Sequence, residues 1–567
     1  MLATLSLRDR AAQMVWPNIY GDYVPADAPQ WRRISSYVTQ DKVGGILISI
    51  GSPVEIAVKL NALQRMSSLP LLVGADLETG AGMRARGGYF TPNGIDLGGA
   101  TLFPPNMAIG ATGDTALAYT EGRVTALEGR ALGIHIDFAP VLDVNNNPGN
   151  PVINTRSYGE DPHAVARLGS AFIRGLQEHG MIATAKHFPG HGDTETNSHL
   201  ALPVVNVTRA RLDSVELVPF RAAIRSGVGG FMTFHGSMPA LDPSGAPGTL
   251  SAAVVSGLLR KEMGFKGVVI SDAMDMRGVT DKYGVNEAVK RAVAAGVDVL
   301  IQPADVPGTI NAVLAGVTEG RYSEARVSES ALRILALKRQ LGLDRDRLAN
   351  LDSLRSVVGD SMHMEMARVA AERSITLVRD SLKLLPISVG PTPRVVSITI
   401  ARRTDPGAGT SFNAELRRAL PALQTEFVMS DDPAVNYPRL AAMADSADVT
   451  IVSSYVGQSW DAVSADAPKA FADWIAGINS RGRKLMVVAF GNPYLLQQIP
   501  LVPDYLVAWG GSPVSQEAAA RALLGSIPVT GHLPISIPPL VRRGAGLIRA
   551  AAARVSTPVV GAGQQSR

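Results

Sequence analysis

Over the first 340 residues, short apolar runs rich in Val, Ile and Leu alternate with longer amphipathic stretches. Eight of the short runs read as strands: 13–17, 45–49, 71–76, 134–140, 182–187, 230–235, 267–272 and 296–301. Most are bounded by Gly, Pro or Asp and are too short for helices. Helical spacing fills most of the gaps, as at 115–132, 162–179, 209–226 and 286–295. Strand and helix in alternation predict a parallel sheet, because parallel neighbours need a crossover connection. Eight such units fit a closed (β/α)8 barrel of TIM type, with an open doubly wound sheet as the alternative. The polar residues choose between them. Asp76, Lys186, His187, His235 and Asp272 each stand at or beside the C-terminal end of a predicted strand. A barrel gathers its chemistry on that rim, whereas an open sheet concentrates it near one switch point.

The second half of the chain reads differently. Residues 344–372 are charged and helical, with segments at 351–357 and 363–372, and form a predicted linker. A second α/β pattern follows, with strands at 394–399, 448–453, 484–490 and 504–508. Helices are expected at 412–420, 437–446, 467–479 and 515–524. The expected division is therefore a barrel over 1–343, the linker, a three-layer αβα sandwich over 373–540, and an Ala/Arg/Gly-rich tail over 541–567 that begins as a helix.

Composition narrows the function classes. Hydrophobic residues make up 46% and charged residues 18%, which excludes general disorder. Lys+Arg exceeds Asp+Glu by only 54 − 50 = 4, and no basic block of the kind nucleic-acid binders use is present. The absence of Cys excludes disulfides, thiol catalysis and Cys-ligated metal sites. No apolar run reaches the roughly 18 residues of a membrane span. The first ten residues are too charged for a signal peptide. The compartment stays open between the cytoplasm and export with a leader removed.

The segment Lys186-His-Phe-Pro-Gly-His-Gly-Asp-Thr-Glu-Thr-Asn-Ser-His-Leu-Ala-Leu-Pro203 concentrates the candidate chemistry. Its histidines can donate and accept protons near neutral pH, at a predicted barrel rim. Zinc ligation by His187, His191, His199 and His235 is the rival reading, although the His-x-His pair usual in metal-dependent barrel hydrolases is missing. The strand ending in Ser271-Asp272 supplies a carboxylate suited to act as nucleophile or base. Asp275 competes for that role, and helix capping is the alternative. The Gly-x-Gly-x-x-Ala string at 80–85 follows a strand as in dinucleotide folds, but Asp76 and Glu78 precede it and would repel a phosphate. Arg156 is placed on a loop and is suited to gripping oxygen-rich ligands.

Together, the motif Lys-His-Phe-Pro-Gly-His-Gly-Asp-Thr, the following Ser-His and Leu-Pro, and Ser271-Asp-Ala-Met274 resemble glycoside hydrolase family 3, in its NagZ-type β-N-acetylglucosaminidase branch. Asp76-x-Glu78, Phe138-Ala-Pro-Val-Leu-Asp143, Arg156-Ser-Tyr-Gly and, in the second half, Ala489-Phe-Gly-Asn-Pro-Tyr494 and Gly531-His-Leu-Pro-Ile535 are similar too. The resemblance implies a retaining exo-β-N-acetylglucosaminidase acting on cell-wall or chitin-type glycans. Asp272 would be the nucleophile and His199 the acid/base. Asp76, Arg156, Lys186 and His187 would grip the sugar, with Arg84, Asp143 and His235 as further substrate-binding positions. It implies no cofactor and no metal, and a small oligosaccharide or glycoside as partner. A β-glucosidase or phosphorylase of other sugar specificity, and a non-catalytic sugar-binding relative, are the alternatives.

The chain departs from the family at one point that bears on chemistry. Where relatives commonly carry Asp-Ser-His, this sequence has Asn197-Ser-His199. An amide can orient the ring but adds no charge to favour the imidazolium. Asp193 or Glu195 would compensate if the loop folded them inward.

Overall fold

The computed structural model describes residues 2–552 apart from 88, 91–94, 97, 388–392 and 458–463. The N-terminal unit is built on short parallel strands: β1 (Val15–Trp16), β2 (Asn18–Ile19), β3 (Gly45–Ile48), β4 (Leu72–Ala75), β5 (Ile136–Asp137), β6 (Ile182–Phe188), β7 (Gly230–Thr233), β8 (Val268–Ile270) and β9 (Leu300–Ile301). Pairing runs in sequence order from β2 through β8. The circuit closes where Ser271 N donates to Val299 O and Leu300 N to Met14 O. Covered on both faces, the strands read as buried apolar runs instead of alternating ones. The barrel expectation holds.

Several strand bounds differ from expectation. Gln13 ends the helix Leu7–Gln13, and Pro17, lacking an N–H, separates β1 from β2. The helix expected over 209–226 forms as Arg209–Ser214 and Leu217–Arg225. Pro219 accounts for the break, since its ring would collide with the carbonyl four residues back, at Val215. Local signals set the other helices well. Ser52 and Glu55 form a reciprocal cap on Pro53–Met66, and Asp161 caps Pro162–Gln177.

Helices Leu354–Val357 and Ser361–Ser374 lead into a six-stranded sheet. Its order in space is Thr376–Asp380, Asp504–Val507, Leu485–Ala489, Val449–Ser454, Val395–Ala401 and Gln424–Met429, with only the first strand antiparallel to its neighbour. The sequence pattern missed two of these strands. Gln424–Met429 is a half-exposed edge without an apolar run, and Thr376–Asp380 ends in charged residues. The helix expected after Pro539 does not form within the described residues. Gly544, with φ +83°, turns the chain, and residues 541–552 run along the sheet, with Leu547 N donating to Leu377 O and Arg549 pairing with Asp380. Residues 553–567 of the expected tail lie outside the described residues.

One helix joins the two units. Asn106–Thr112 belongs to the barrel half of the chain, yet Met107, Ala108 and Ala111 pack in the core of the second domain with Ile398, Trp509 and Ile535. Among the described residues, no helix is long and apolar enough to cross a membrane.

Candidate active site

A cavity of about 560 Å³ opens at the C-terminal ends of the barrel strands. Asp76, Arg84, Arg156, Lys186, His187, His199 and Asp272, seven of the expected residues, all line it, and four of them, Asp76, Lys186, His187 and Asp272, stand at or beside strand ends. Asp275 lines it too, and accepts from Gln302 Nε2 at 3.0 Å.

One wall is an ion network. Lys186 Nζ lies 2.8 Å from Asp76 and 2.7 Å from Glu78. Arg84 pairs with the second oxygen of Asp76 at 2.8 Å, and Arg156 grips Glu78 through Nε at 2.9 Å and a terminal nitrogen at 2.7 Å. Burial pushes the Asp76 carboxyl up, but Lys186 and Arg84 outweigh it and hold the group at about 2. Burial likewise raises Glu78, and Arg156 and Lys186 bring it well below the usual carboxylate range. Glu78 was not among the site residues expected from the sequence. Its position two residues past Asp76, at the same strand end, was the available signal. Ala81–Met83 is a single 3-10 turn, so the glycine string opens no phosphate-binding helix.

Behind this wall, buried Asp143 accepts from His187 Nδ1 at 2.7 Å and from His191 N at 2.6 Å. Burial raises the Asp143 carboxyl, but His187 and His191 hold it low. The loop after β6 approaches the barrel so closely that a Cβ on Gly192 would lie 1.8 Å from Val144 O. Asp143 and His235 were expected against the sugar. Each is fully buried and outside the lining. His235 spends its two ring nitrogens on Thr249 Oγ1 at 2.7 Å and Ala273 O at 2.9 Å, beneath the loop of Asp272.

Asp272 accepts from Ala273 N at 2.8 Å. Burial raises its carboxyl, but the imidazoles of His235, His187 and His199 together keep it below the ordinary value, so the group is ionised at neutral pH. His199 is tethered by Asn197, whose Oδ1 accepts from His199 N at 3.0 Å and Nδ1 at 3.1 Å. The proton sits on Nδ1 in that arrangement, and the Nε2 of a neutral ring carries a lone pair. Burial lowers the imidazole pKa more than Asp272 raises it. The expected compensation by Asp193 or Glu195 is absent. Asp193 lies 3.9 Å from Arg211, and Glu195 is exposed.

The histidines do not converge on a metal. His191 uses its ring on Ser198 and Thr194, His235 on Thr249 and Ala273, and His187 Nδ1 on Asp143. Among the described residues, no group of three His, Asp or Glu surrounds a common point. Burial lowers the His191 pKa to about 3, so that ring is a neutral spacer, tilted 38° against the Phe234 ring with centroids 4.2 Å apart.

The profile of the Glycosyl hydrolase family 3 N terminal domain matches residues 6–337. This chain belongs to glycoside hydrolase family 3. The family 3 chain is 31% identical over 527 residues to a beta-N-acetylglucosaminidase/beta-glucosidase of Cellulomonas fimi, covering 87% of this chain and 88% of that one. It superposes on a family 3 beta-N-acetylglucosaminidase of Paenibacillus sp. with a TM-score of 0.79 at 33% identity, over 94% and 99% of the two chains. A beta-glucoside phosphorylase superposes with a TM-score of 0.82 at 25% identity, over 95% of each chain. The enzyme is thus a glycosidase by family, with the two-domain architecture of its relatives.

Proposed function

We propose that this family 3 enzyme is a retaining exo-β-N-acetylglucosaminidase that removes a terminal non-reducing GlcNAc from cell-wall or chitin-type glycans. Asp272 attacks the anomeric carbon while protonated His199 gives its Nε2 proton to the departing oxygen, leaving a glycosyl ester on Asp272. Neutral His199 then takes a proton from water, which attacks the same carbon and releases the β-sugar and the free carboxylate. Asp76, Arg156, Lys186 and His187 bind the sugar hydroxyls and acetamido group, and Arg84 lies with them. The observation that carries the reading is an ionised carboxylate and an imidazole lining one cavity beside a charged, hydrogen-bonding wall. The names of the Cellulomonas and Paenibacillus relatives support the sugar.

The test is turnover of aryl β-GlcNAc against aryl β-glucoside, with Asp272→Asn as the control and the first-released anomer followed by NMR. Preference for GlcNAc, β-anomer release and loss of turnover in the variant are expected. Inverted product or an active Asp272→Asn protein overturns the reading. Phosphorolysis is the second reading, favoured by one observation: the neutral Asn197 beside His199 places no anion there to repel phosphate. A relative named as a phosphorylase agrees with it. Sugar 1-phosphate formed on adding phosphate decides for it.

A further inference from the structure

The turn Gly491-Asn-Pro-Tyr494 follows the strand Leu485–Ala489 of the second domain, far from the barrel in sequence. It nevertheless touches the loop that carries Arg156. Asn492 is buried, and its Oδ1 accepts from Asn154 Nδ2 at 3.1 Å and from Tyr494 N at 3.0 Å. Its own Nδ2 donates to Ala465 O at 3.2 Å, which settles the orientation of the amide. The Tyr494 hydroxyl accepts from Asn145 Nδ2 at 2.9 Å.

The barrel side of these contacts is itself constrained. Asn154 is fully buried at φ +40°, a backbone conformation that a non-glycine residue holds only when its surroundings favour it. It opens the single turn Asn154–Arg156. The carbonyl of Arg156 accepts from Asn106 Nδ2 at 2.8 Å, and Asn106 starts the helix embedded in the second domain's core. The same loop is held further on by the second domain, where Glu160 accepts from Ser536 N at 2.7 Å. The guanidinium thus has its direction set by Glu78 in the barrel, while its backbone is held by Asn106, whose helix packs in the other domain, and the flanking Asn154 and Glu160 are held by that domain directly.

We propose that the Gly491–Tyr494 turn is a positioning element of the active site, with Asn492 acting through Asn154 to place Arg156 for binding. The inference rests on the reading above in which Arg156 contacts the sugar. It assigns the second domain a part in substrate affinity without any of its residues entering the cavity.

Steady-state kinetics on an aryl β-GlcNAc with the full-length enzyme test it. Arg156→Ala comes first: if KM does not rise, the sugar-contact reading fails, and this inference with it. Given that rise, Asn492→Ala is expected to raise KM roughly fivefold with kcat little changed, the size of one hydrogen bond. In the Arg156→Ala background, Asn492→Ala should add nothing. A merely structural role would instead lower kcat by shrinking the active fraction while leaving KM alone. That outcome, or an additive double variant, overturns the proposal. Should Asn492→Ala not fold, Asn154→Ala breaks the same bond from the barrel side and is judged by the same criteria.

Discussion

Replacing Asn197 by Asp puts a carboxylate where an amide oxygen now accepts from His199 Nδ1 at 3.1 Å. Two unit charges about 4 Å apart attract by about 4 kcal/mol at an effective dielectric near 20. Each pKa unit is worth about 1.4 kcal/mol, so the ceiling is near three. His199 is only partly buried, and solvent screens the pair, so an increase of about one to two is expected. The present imidazole lies below its ordinary value of 6.5 because burial outweighs the Asp272 charge. In the resting enzyme at neutral pH the ring is therefore mostly the base form, suited to the water step and poorly suited to protonating a leaving group. The assay is kcat/KM against pH for aryl β-GlcNAc substrates with good and poor leaving groups. For the poor ones, the alkaline limb should fall below pH 6.5 in the present enzyme and move up by about one to two in Asn197→Asp. Activated substrates, which need little protonation, should change far less. If the limb does not move, or if both substrate classes respond equally, the account of Asn197 is wrong.

Glu78→Gln removes the anion that Arg156 and buried Lys186 share. Breaking a buried pair costs about 3–5 kcal/mol, so both thermal stability and GlcNAc affinity should fall; an unchanged KM would refute the network's role in binding. His363 donates to buried Glu128 at 3.0 Å across the junction of the two units, and that hydrogen bond raises its pKa. A raised folded value means the stabilisation is complete below about pH 6.5 and fades as pH climbs through the folded value. The melting temperature lost in His363→Ala should accordingly be larger at pH 5.5 than at pH 8.5, and a pH-independent loss would contradict this. Lys338 is buried with its amine on Gln13 Oε1 at 2.6 Å, and burial lowers its pKa to about 7. The cost of burying that charge is greatest below pH 7 and vanishes toward the unfolded value near 10.5. The stability of Lys338→Met relative to the parent should therefore improve as pH drops from 10 to 7, and a flat difference from calorimetry would count against it.

The sequence by itself determined what depends on neighbours along the chain. Alternating strand and helix periods specify the parallel barrel, and polar residues at strand ends specify its rim, because parallel strands all bring their C-terminal ends to one face of the barrel. The run from Lys186 to His199 was legible for the same reason, being one strand end and one loop. Tertiary structure alone decided which carboxylate meets which cation. Glu78 and Arg156 are 78 residues apart, and Asn154 and Asn492 are 338 apart. It also removed Asp143 and His235 from the lining, since a side chain's place in front of or behind a wall depends on packing from several strands at once. Pro219 broke a helix that periodicity alone had joined, Gly544 turned the chain where a tail helix was expected, and the half-exposed edge strand Gln424–Met429 became visible only through its parallel pairing with Val395–Ala401. Backbone pairing of that kind is a long-range interaction that leaves little trace in the local pattern of apolar residues.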